Sequence, residues 1–144
     1  MKRKFFVISL FALALVSCQE NNPCKYHTQT IDLKVQQADW QFDNDEQLFY
    51  YSFSVPEITN FVYNYGNWTI CREFNGGTKN AYQVALPSCE FMTDTLVGGT
   101  VAYYTRYIDY RLGVGGVDIQ VTNSDYLYSS QKPEDMIFRL QLIY

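Results

Sequence analysis

Residues that could transfer a proton or an acyl group are few in this chain. His27 is the only histidine, and it ends the polar segment 19–27, which Pro23 interrupts. A hydrolase triad or a transition-metal site needs a histidine that neighbouring groups hold in place. Asp109 and Asp118 lie on adjacent strand candidates and form the one carboxylate pair suited in type to glycoside hydrolysis, but their separation does not follow from the sequence. We therefore expect no enzymatic activity and no cofactor.

Acidic side chains are densest at Asp43, Asp45 and Glu46. Oxygen ligands at alternate positions suit Ca²⁺. The twelve-residue loop of an EF-hand is absent, however, and a solvated polar turn is the simpler interpretation. These three acids are thus a weak calcium candidate, and no spacing of cysteines in the chain predicts a zinc site.

The first seventeen residues have the features of an export signal. A basic start, Lys2-Arg3-Lys4, precedes the mostly apolar run 5–16, which as a helix would reach only ~18 Å across a ~30 Å bilayer core. Leu15-Val16-Ser17-Cys18 closes this run. It resembles the lipobox of bacterial lipoproteins, in which cleavage precedes the cysteine and the thiol receives a lipid.

The resemblance to lipoproteins implies how the chain is organised and where it resides. Residues 1–17 are the signal peptide, 18–27 the lipidated Cys18 and a tether, and 28–144 one domain. Gln19 replaces the aspartate that marks retention at the inner membrane, so we expect attachment to the outer membrane. The sequence leaves open whether the domain faces the periplasm or the cell surface.

The charge of the chain excludes one class of partner. Residues 1–17 contain three of the eleven Lys and Arg and none of the fifteen Asp and Glu, so the mature chain has a net charge of −7. An acidic protein lacks the positive surface that binds nucleic acid, and anionic lipids repel it. We expect the lipid on Cys18 to hold the protein at the membrane.

Three cysteines remain besides Cys18. Exported proteins meet an oxidising compartment, and three thiols allow one disulfide in three possible pairings. Cys71 and Cys89 lie at apparent strand ends, whereas Cys24 lies in the tether. We predict a disulfide between Cys71 and Cys89. The alternative is that all three are free thiols.

The mature chain alternates apolar and polar residues over short stretches, which is typical of half-buried β-strands. Polar or glycine-rich turns separate about seven to nine such stretches, and Ile58–Tyr65 has room for one helical turn. The pattern predicts an all-β antiparallel sandwich of two sheets, Ig-like or jelly-roll-like, rather than a small closed barrel. The clearest alternations are Ile31–Val35, Phe49–Val55, Thr100–Leu112, Val117–Val121 and Phe138–Leu142.

The thirteen tyrosines are the strongest indication of function. In the strand 100–112, either Tyr103 and Tyr107 or Tyr104 and Tyr110 must point away from the core. Exposed tyrosines can stack on sugar rings or anchor a protein interface, although they also pair across strands for stability alone. The tyrosines that could extend such a surface are Tyr50, Tyr63, Tyr65, Tyr126 and Tyr128.

The chain also resembles a group of short secreted lipoproteins of unknown function with one β domain after the signal peptide. The shared features are Asp39-Trp40, Tyr50-Tyr51, Val55-Pro56-Glu57-Ile58, Leu86-Pro87, Thr122-Asn123-Ser124-Asp125 and Met136-Ile137-Phe138-Arg139. We expect a membrane-anchored binding domain for a glycan or a protein, or alternatively a structural envelope protein that packs against a protein partner. Asp94-Thr95-Leu96 resembles a bacterial O-glycan acceptor, and the sequence does not determine whether it is modified.

Overall fold

The computed structural model describes residues 26–95, 98–125 and 132–144. Within these ranges the chain forms nine strands, one α-helix and one short 3-10 helix. The helix α1 spans Asn60–Tyr65, and the 3-10 helix spans Gln37–Asp39. The strands are β1 (Thr28–Val35), β2 (Gln41–Asp43), β3 (Leu48–Ser54), β4 (Asn67–Phe74), β5 (Tyr82–Ala85), β6 (Ser88–Thr95), β7 (Val101–Gly113), β8 (Gly116–Asn123) and β9 (Met136–Ile143).

The strands form two antiparallel sheets. Sheet A has the order β1-β9-β4-β5, and sheet B has the order β2-β3-β8-β7-β6. The first and last strands pair, with Thr28 opposite Ile143. This arrangement confirms the predicted all-β sandwich of two antiparallel sheets.

The alternation in the sequence places one row of the central strands in the core between the sheets. On β9, Phe138, Leu140 and Leu142 are fully buried, while the residues between them point outward. On β8, Ile119 and Val121 pack from the other sheet into the same cluster. Burying such side chains contributes about 1.5–3 kcal/mol each, so these inward rows hold the sheets together.

Helix α1 covers one end of the sandwich. Its first turn begins at Thr59, whose Oγ1 accepts a hydrogen bond from the Val62 amide at 3.2 Å, and Val62 is buried. At Gly66 a Cβ would lie 2.6 Å from the Val62 carbonyl oxygen and 3.2 Å from that of Ile143, so glycine is required where the helix ends. No helix in the described ranges is long and apolar enough to cross a membrane.

Leu140 and Gln141 provide a matched test of this core. Leu140 is fully buried on β9 between β1 and β4, and Gln141 points to solvent from the same strand. We expect Leu140→Ala to lower the free energy of unfolding by about 2–5 kcal/mol because it leaves a cavity. Gln141→Ala should have little effect. Urea unfolding of residues 19–144 with Cys24→Ser measures both, and equal effects would contradict the assigned faces of β9.

Candidate functional site

The outer surface of β6 and β7 carries three exposed aromatic side chains. Phe91 is 95 % exposed, Tyr103 is 79 % exposed and Tyr107 is about half exposed. Phe91 lies opposite Thr105, so it is diagonal to both tyrosines. The two tyrosines are separated by about 13 Å along β7, since each residue of a strand rises 3.2–3.4 Å. We call these three residues the β6–β7 face.

The four tyrosines suggested by the sequence divide between the two sides of β7. Tyr103 and Tyr107 point outward, whereas Tyr104 is buried and Tyr110 packs against the core. Ile108 shares their inward side, and its apolar side chain is fully buried between the sheets. Burial also raises the pKa of Tyr104 above its ordinary value. Tyr104 and Tyr110 are therefore excluded from the candidate binding surface.

Of the other suggested tyrosines, the three that the structure describes do not extend the β6–β7 face. Tyr50 is half-buried and its hydroxyl donates to Gln41 Oε1 at 2.7 Å. Tyr63 and Tyr65 lie on α1. Tyr126 and Tyr128 are outside the described residues.

Strand β6 forms one edge of sheet B, and it pairs with β7 alone among the described strands. The residues on its outward side carry no charge: Cys89, Phe91, Thr93 and Thr95. Natural edge strands are usually short or carry charges, prolines or bulges that prevent pairing with another chain. The outward side of β6 carries no charged side chain, Glu90 and Asp94 lie on its inward side, and no described strand pairs with its outer edge.

A network of charged side chains lies between the sheets, on the inner side of β6 and β7. Arg72 of β4 and Arg106 of β7 are both buried. Glu134 bridges them, since its Oε1 accepts from Arg72 Nη2 at 2.6 Å and its Oε2 accepts from Arg106 Nη1 at 2.6 Å. Arg72 Nη1 also donates to Glu90 Oε1 of β6. The two guanidinium charges are thus matched by two carboxylates.

Neutral groups complete this network. Arg106 Nε donates to Asn123 Oδ1 at 3.3 Å, and Trp40 Nε1 donates to the Glu134 carbonyl at 3.1 Å. Burial alone would raise the pKa of Glu134. Its own backbone amide and the charges of Arg106 and Arg72 outweigh burial, so the pKa lies below its ordinary value. The charged groups of the network therefore pair with one another, and the bonds from Glu134 to the two arginines connect the two sheets.

The amino-acid sequence alone does not predict this network. One signal was present, because Arg106 shares the inward side of β7 with the apolar Ile108. A charged residue is seldom fully buried without a partner, so the inward position of Arg106 indicates an acidic partner. Glu134 precedes β9 and is distant from both arginines in sequence, so only the folded chain identifies it as that partner.

The three acids considered for calcium are not arranged as a cation site. Asp43 Oδ1 accepts from the amides of Asp45 and Glu46 at 2.8 and 3.0 Å, and these bonds hold the pKa of Asp43 below its ordinary value. Both carboxylate oxygens of Glu46 accept from Arg111. In the part of the chain that the structure describes, no group of three or more acidic, histidine or cysteine side chains could hold a metal ion.

The predicted disulfide between Cys71 and Cys89 is not formed, and both are free thiols. Cys71 points outward from β4 in sheet A, and Cys89 points outward from β6 in sheet B. The whole sandwich therefore lies between their side chains, which a disulfide with Cβ atoms about 3.5–4.5 Å apart cannot span. Cys18 and Cys24 are outside the described residues.

The remaining candidates lie apart from one another. His27 pairs with Tyr144 through its backbone, and the two rings are 5.3 Å apart. Asp109 and Asp118 both point outward from a flat sheet surface, and Asp118 is opposite Arg111 rather than Asp109. Thr95 is exposed at the end of β6, while Leu96 is outside the described residues. A shallow cavity of about 310 Å³ follows the β7–β8 hairpin between Arg111 and Asp118, and it does not include the β6–β7 face.

Comparison with known proteins gave no matching family, curated protein or solved structure.

Glu134 allows a test of the network. In Glu134→Gln both arginines remain buried with a weaker partner. We expect the free energy of unfolding at pH 7 to fall by about 1–3 kcal/mol, less than for a fully buried pair because Glu134 is half exposed. The pKa of Glu134 in the folded chain is lowered from its ordinary value of 4.5. Its carboxylate therefore contributes fully to the free energy of unfolding above pH 4.5, and this contribution is lost as the pH falls through the folded pKa.

Unfolding free energies measured by urea denaturation from pH 7 to pH 3 test both expectations. Glu134→Gln should show a shallower loss of stability in acid than the parent chain. The matched control is Glu46→Gln, which removes an exposed ion pair with Arg111 and should change stability little. Parallel acid profiles for Glu134→Gln and the parent would contradict the bridging role.

The two thiols allow a separate test of the fold. We expect residues 19–144 with Cys24→Ser, purified without reductant and then unfolded, to take up two alkyl groups, because Cys71 and Cys89 lie on opposite outer surfaces. Mass spectrometry measures the uptake. A chain that takes up no alkyl group and has lost two hydrogens would show that the disulfide forms.

Proposed function

We propose that this chain is a lipid-anchored protein of the bacterial envelope whose sandwich domain binds a partner protein through the β6–β7 face and catalyses no reaction. The observation that carries the proposal is the exposure of Phe91 and Tyr103 on the outward side of β6 and β7, where β6 is the edge strand of sheet B among the described strands. Aromatic residues are enriched where protein interfaces are fully buried, and they supply much of the binding energy.

The anchor in this proposal is supported by the sequence. The short apolar run 5–16 and the lipobox-like Leu15-Val16-Ser17-Cys18 together predict acylation of Cys18. Two or three acyl chains hold a protein stably at a membrane, whereas one does so only marginally. Gln19 favours the outer membrane as the destination.

The shape of the surface favours a protein over a small ligand. Small molecules bind in concave pockets. The β6–β7 face is the outer side of a sheet, and the cavity along the β7–β8 hairpin does not include it. An exposed edge such as β6 can pair with an extended segment of a partner, with backbone hydrogen bonds supplying affinity and aromatic neighbours supplying specificity. Addition of a partner strand beside β6 is the binding mode that uses both the edge strand and the exposed aromatic side chains.

Glycan binding is the second candidate. Tyr103 and Tyr107 present flat rings with hydroxyl groups on one surface, which suits stacking on successive sugar units. Titration with oligosaccharides by calorimetry distinguishes this candidate from a protein partner. Tryptophan fluorescence is less suitable, since Trp40 is buried and Trp68 stacks on Tyr63 beside α1.

Site-specific crosslinking in cells tests the proposal. A photoreactive amino acid at Thr93, on the outer side of β6, should form a crosslink to one envelope protein. The same group at the exposed Gln83 of β5 should not. Equal crosslinking from both positions would contradict a binding surface at β6.

Purified partner then allows affinity to be measured. We expect Tyr103→Ala with Tyr107→Ala to weaken binding by at least about tenfold, because truncating interface aromatics typically costs more than 1 kcal/mol each. Phe91→Lys should do the same by placing a charge beside the edge. The matched control is Tyr82→Ala, which removes an exposed tyrosine from β5 of the other sheet. Unchanged affinity in the double variant would reject the β6–β7 face as the site.

A further inference from the structure

The end of the sandwich where the tether joins carries a second group of exposed aromatic residues. β1 begins at Thr28, which pairs with Ile143 of β9, and Ile143 also pairs with Asn67 at the start of β4. Asn67 follows α1 after one glycine. The tether, the last strand and α1 therefore meet at one end, which we call the tether end.

Aromatic side chains project from the tether end into solvent. On α1, Phe61 is 59 % exposed and Tyr65 is 77 % exposed, and their rings lie 5.5 Å apart. Tyr26 is exposed at the start of the described chain, next to His27. Tyr63 stacks on Trp68 with ring centroids 6.0 Å apart. Covering the end of the core required only Val62 of this helix, so burial does not explain the outward rings.

The tether end also carries few charged side chains. In segments 26–31, 55–67, 113–116 and 141–144, Glu57 is the only Asp, Glu, Lys or Arg. The β7–β8 hairpin belongs to this end, because Gly115 exchanges backbone hydrogen bonds with Val55 and Ile58. The opposite end carries more charged side chains, including Asp39, Asp125 and Asp135 together with Lys34 and Lys132. Removing charged groups from water is costly, so the tether end is the one that can enter the headgroup region.

The tether is short. Eight residue steps separate Cys18 from Tyr26, and a fully extended chain spans at most about 3.6 Å per residue, or about 29 Å in all. An anchored domain is therefore confined near the lipid surface, where its effective concentration is high and even a weak contact forms. Tyrosine and tryptophan favour the region between water and hydrocarbon because each has an apolar ring and a polar group.

We propose that the tether end docks on the headgroup region of the membrane that holds the lipid on Cys18, with Tyr26, Phe61 and Tyr65 inserted between the headgroups. This inference rests on the lipid anchor of the proposed function. The strands then extend away from the bilayer, the opposite end is farthest from it, and the β6–β7 face is directed sideways to a partner on the same membrane.

The chain contains two natural reporters for a test. Trp68 stacks on Tyr63 at the tether end, and Trp40 lies at the opposite end, where it donates to the Glu134 carbonyl. The acylated chain is reconstituted in phosphatidylcholine vesicles with and without a lipid that carries a doxyl quencher near its headgroup. Trp40→Phe and Trp68→Phe each leave one reporter. We expect the doxyl lipid to quench Trp68 and to leave Trp40 unchanged.

Variants separate docking from anchoring. Phe61→Ser with Tyr65→Ser should reduce quenching of Trp68 to the level of Trp40, while the protein still floats with the vesicles. The matched control is Tyr82→Ser, an exposed tyrosine on β5 at the opposite end, which should leave the quenching of Trp68 unchanged.

The possible failures are distinguishable. An acylated chain that floats with the vesicles but whose Trp68 escapes quenching overturns the docking and leaves the anchor intact. Quenching that persists in the Phe61 and Tyr65 double variant overturns the assignment of these residues. A mature chain whose mass shows no acyl group and that does not float overturns both the anchor and the inference that depends on it.

Discussion

The carboxylate of Glu134 is the constraint on which the arrangement of the two sheets depends. It accepts from Arg72 of sheet A and Arg106 of sheet B, and its backbone carbonyl accepts from Trp40 between β1 and β2. Two buried guanidinium groups would cost several kcal/mol each without such partners. Apolar packing brings the sheets together, and these directional bonds add a constraint on how the sheets align. The network thus links a position on β4 to a position on β7 through Glu134.

The side chains that are buried between the sheets determine which side chains are exposed on the outer surfaces. Because every residue on a strand faces either the core or solvent, the network and the apolar rows use the inward positions of β7, including Tyr104 and Arg106. Tyr103 and Tyr107 are then displayed on the outer side. The same reasoning applies to α1, where burial of Val62 leaves Phe61 and Tyr65 outward. The two exposed aromatic groups lie on different parts of the molecule, one on the β6–β7 face and one at the tether end.

Much of the fold followed from local pattern, and particular residues show why. Leu33 and Val35 alternate with charged or polar neighbours and are buried as predicted, and the same holds for Phe138, Leu140 and Leu142. Segment 58–65 was ambiguous because its aromatic and polar residues fit no clear period. The short helix forms there since Thr59 caps it and Gly66 permits close approach to Ile143. These contacts depend on the position of β9, which is distant in sequence.

The amino-acid sequence by itself determined the class of fold, the acidic character of the chain and the rows of residues that share a side of each strand. It did not determine which row of β7 faces the core, that Cys71 and Cys89 lie on opposite surfaces, or that Glu134 bridges two arginines. The physical reason is that alternation is a local property with a period of two residues. Which sheet a strand joins, and what lies across the core from it, depends on pairings between residues far apart in the chain. Only the tertiary structure decides those.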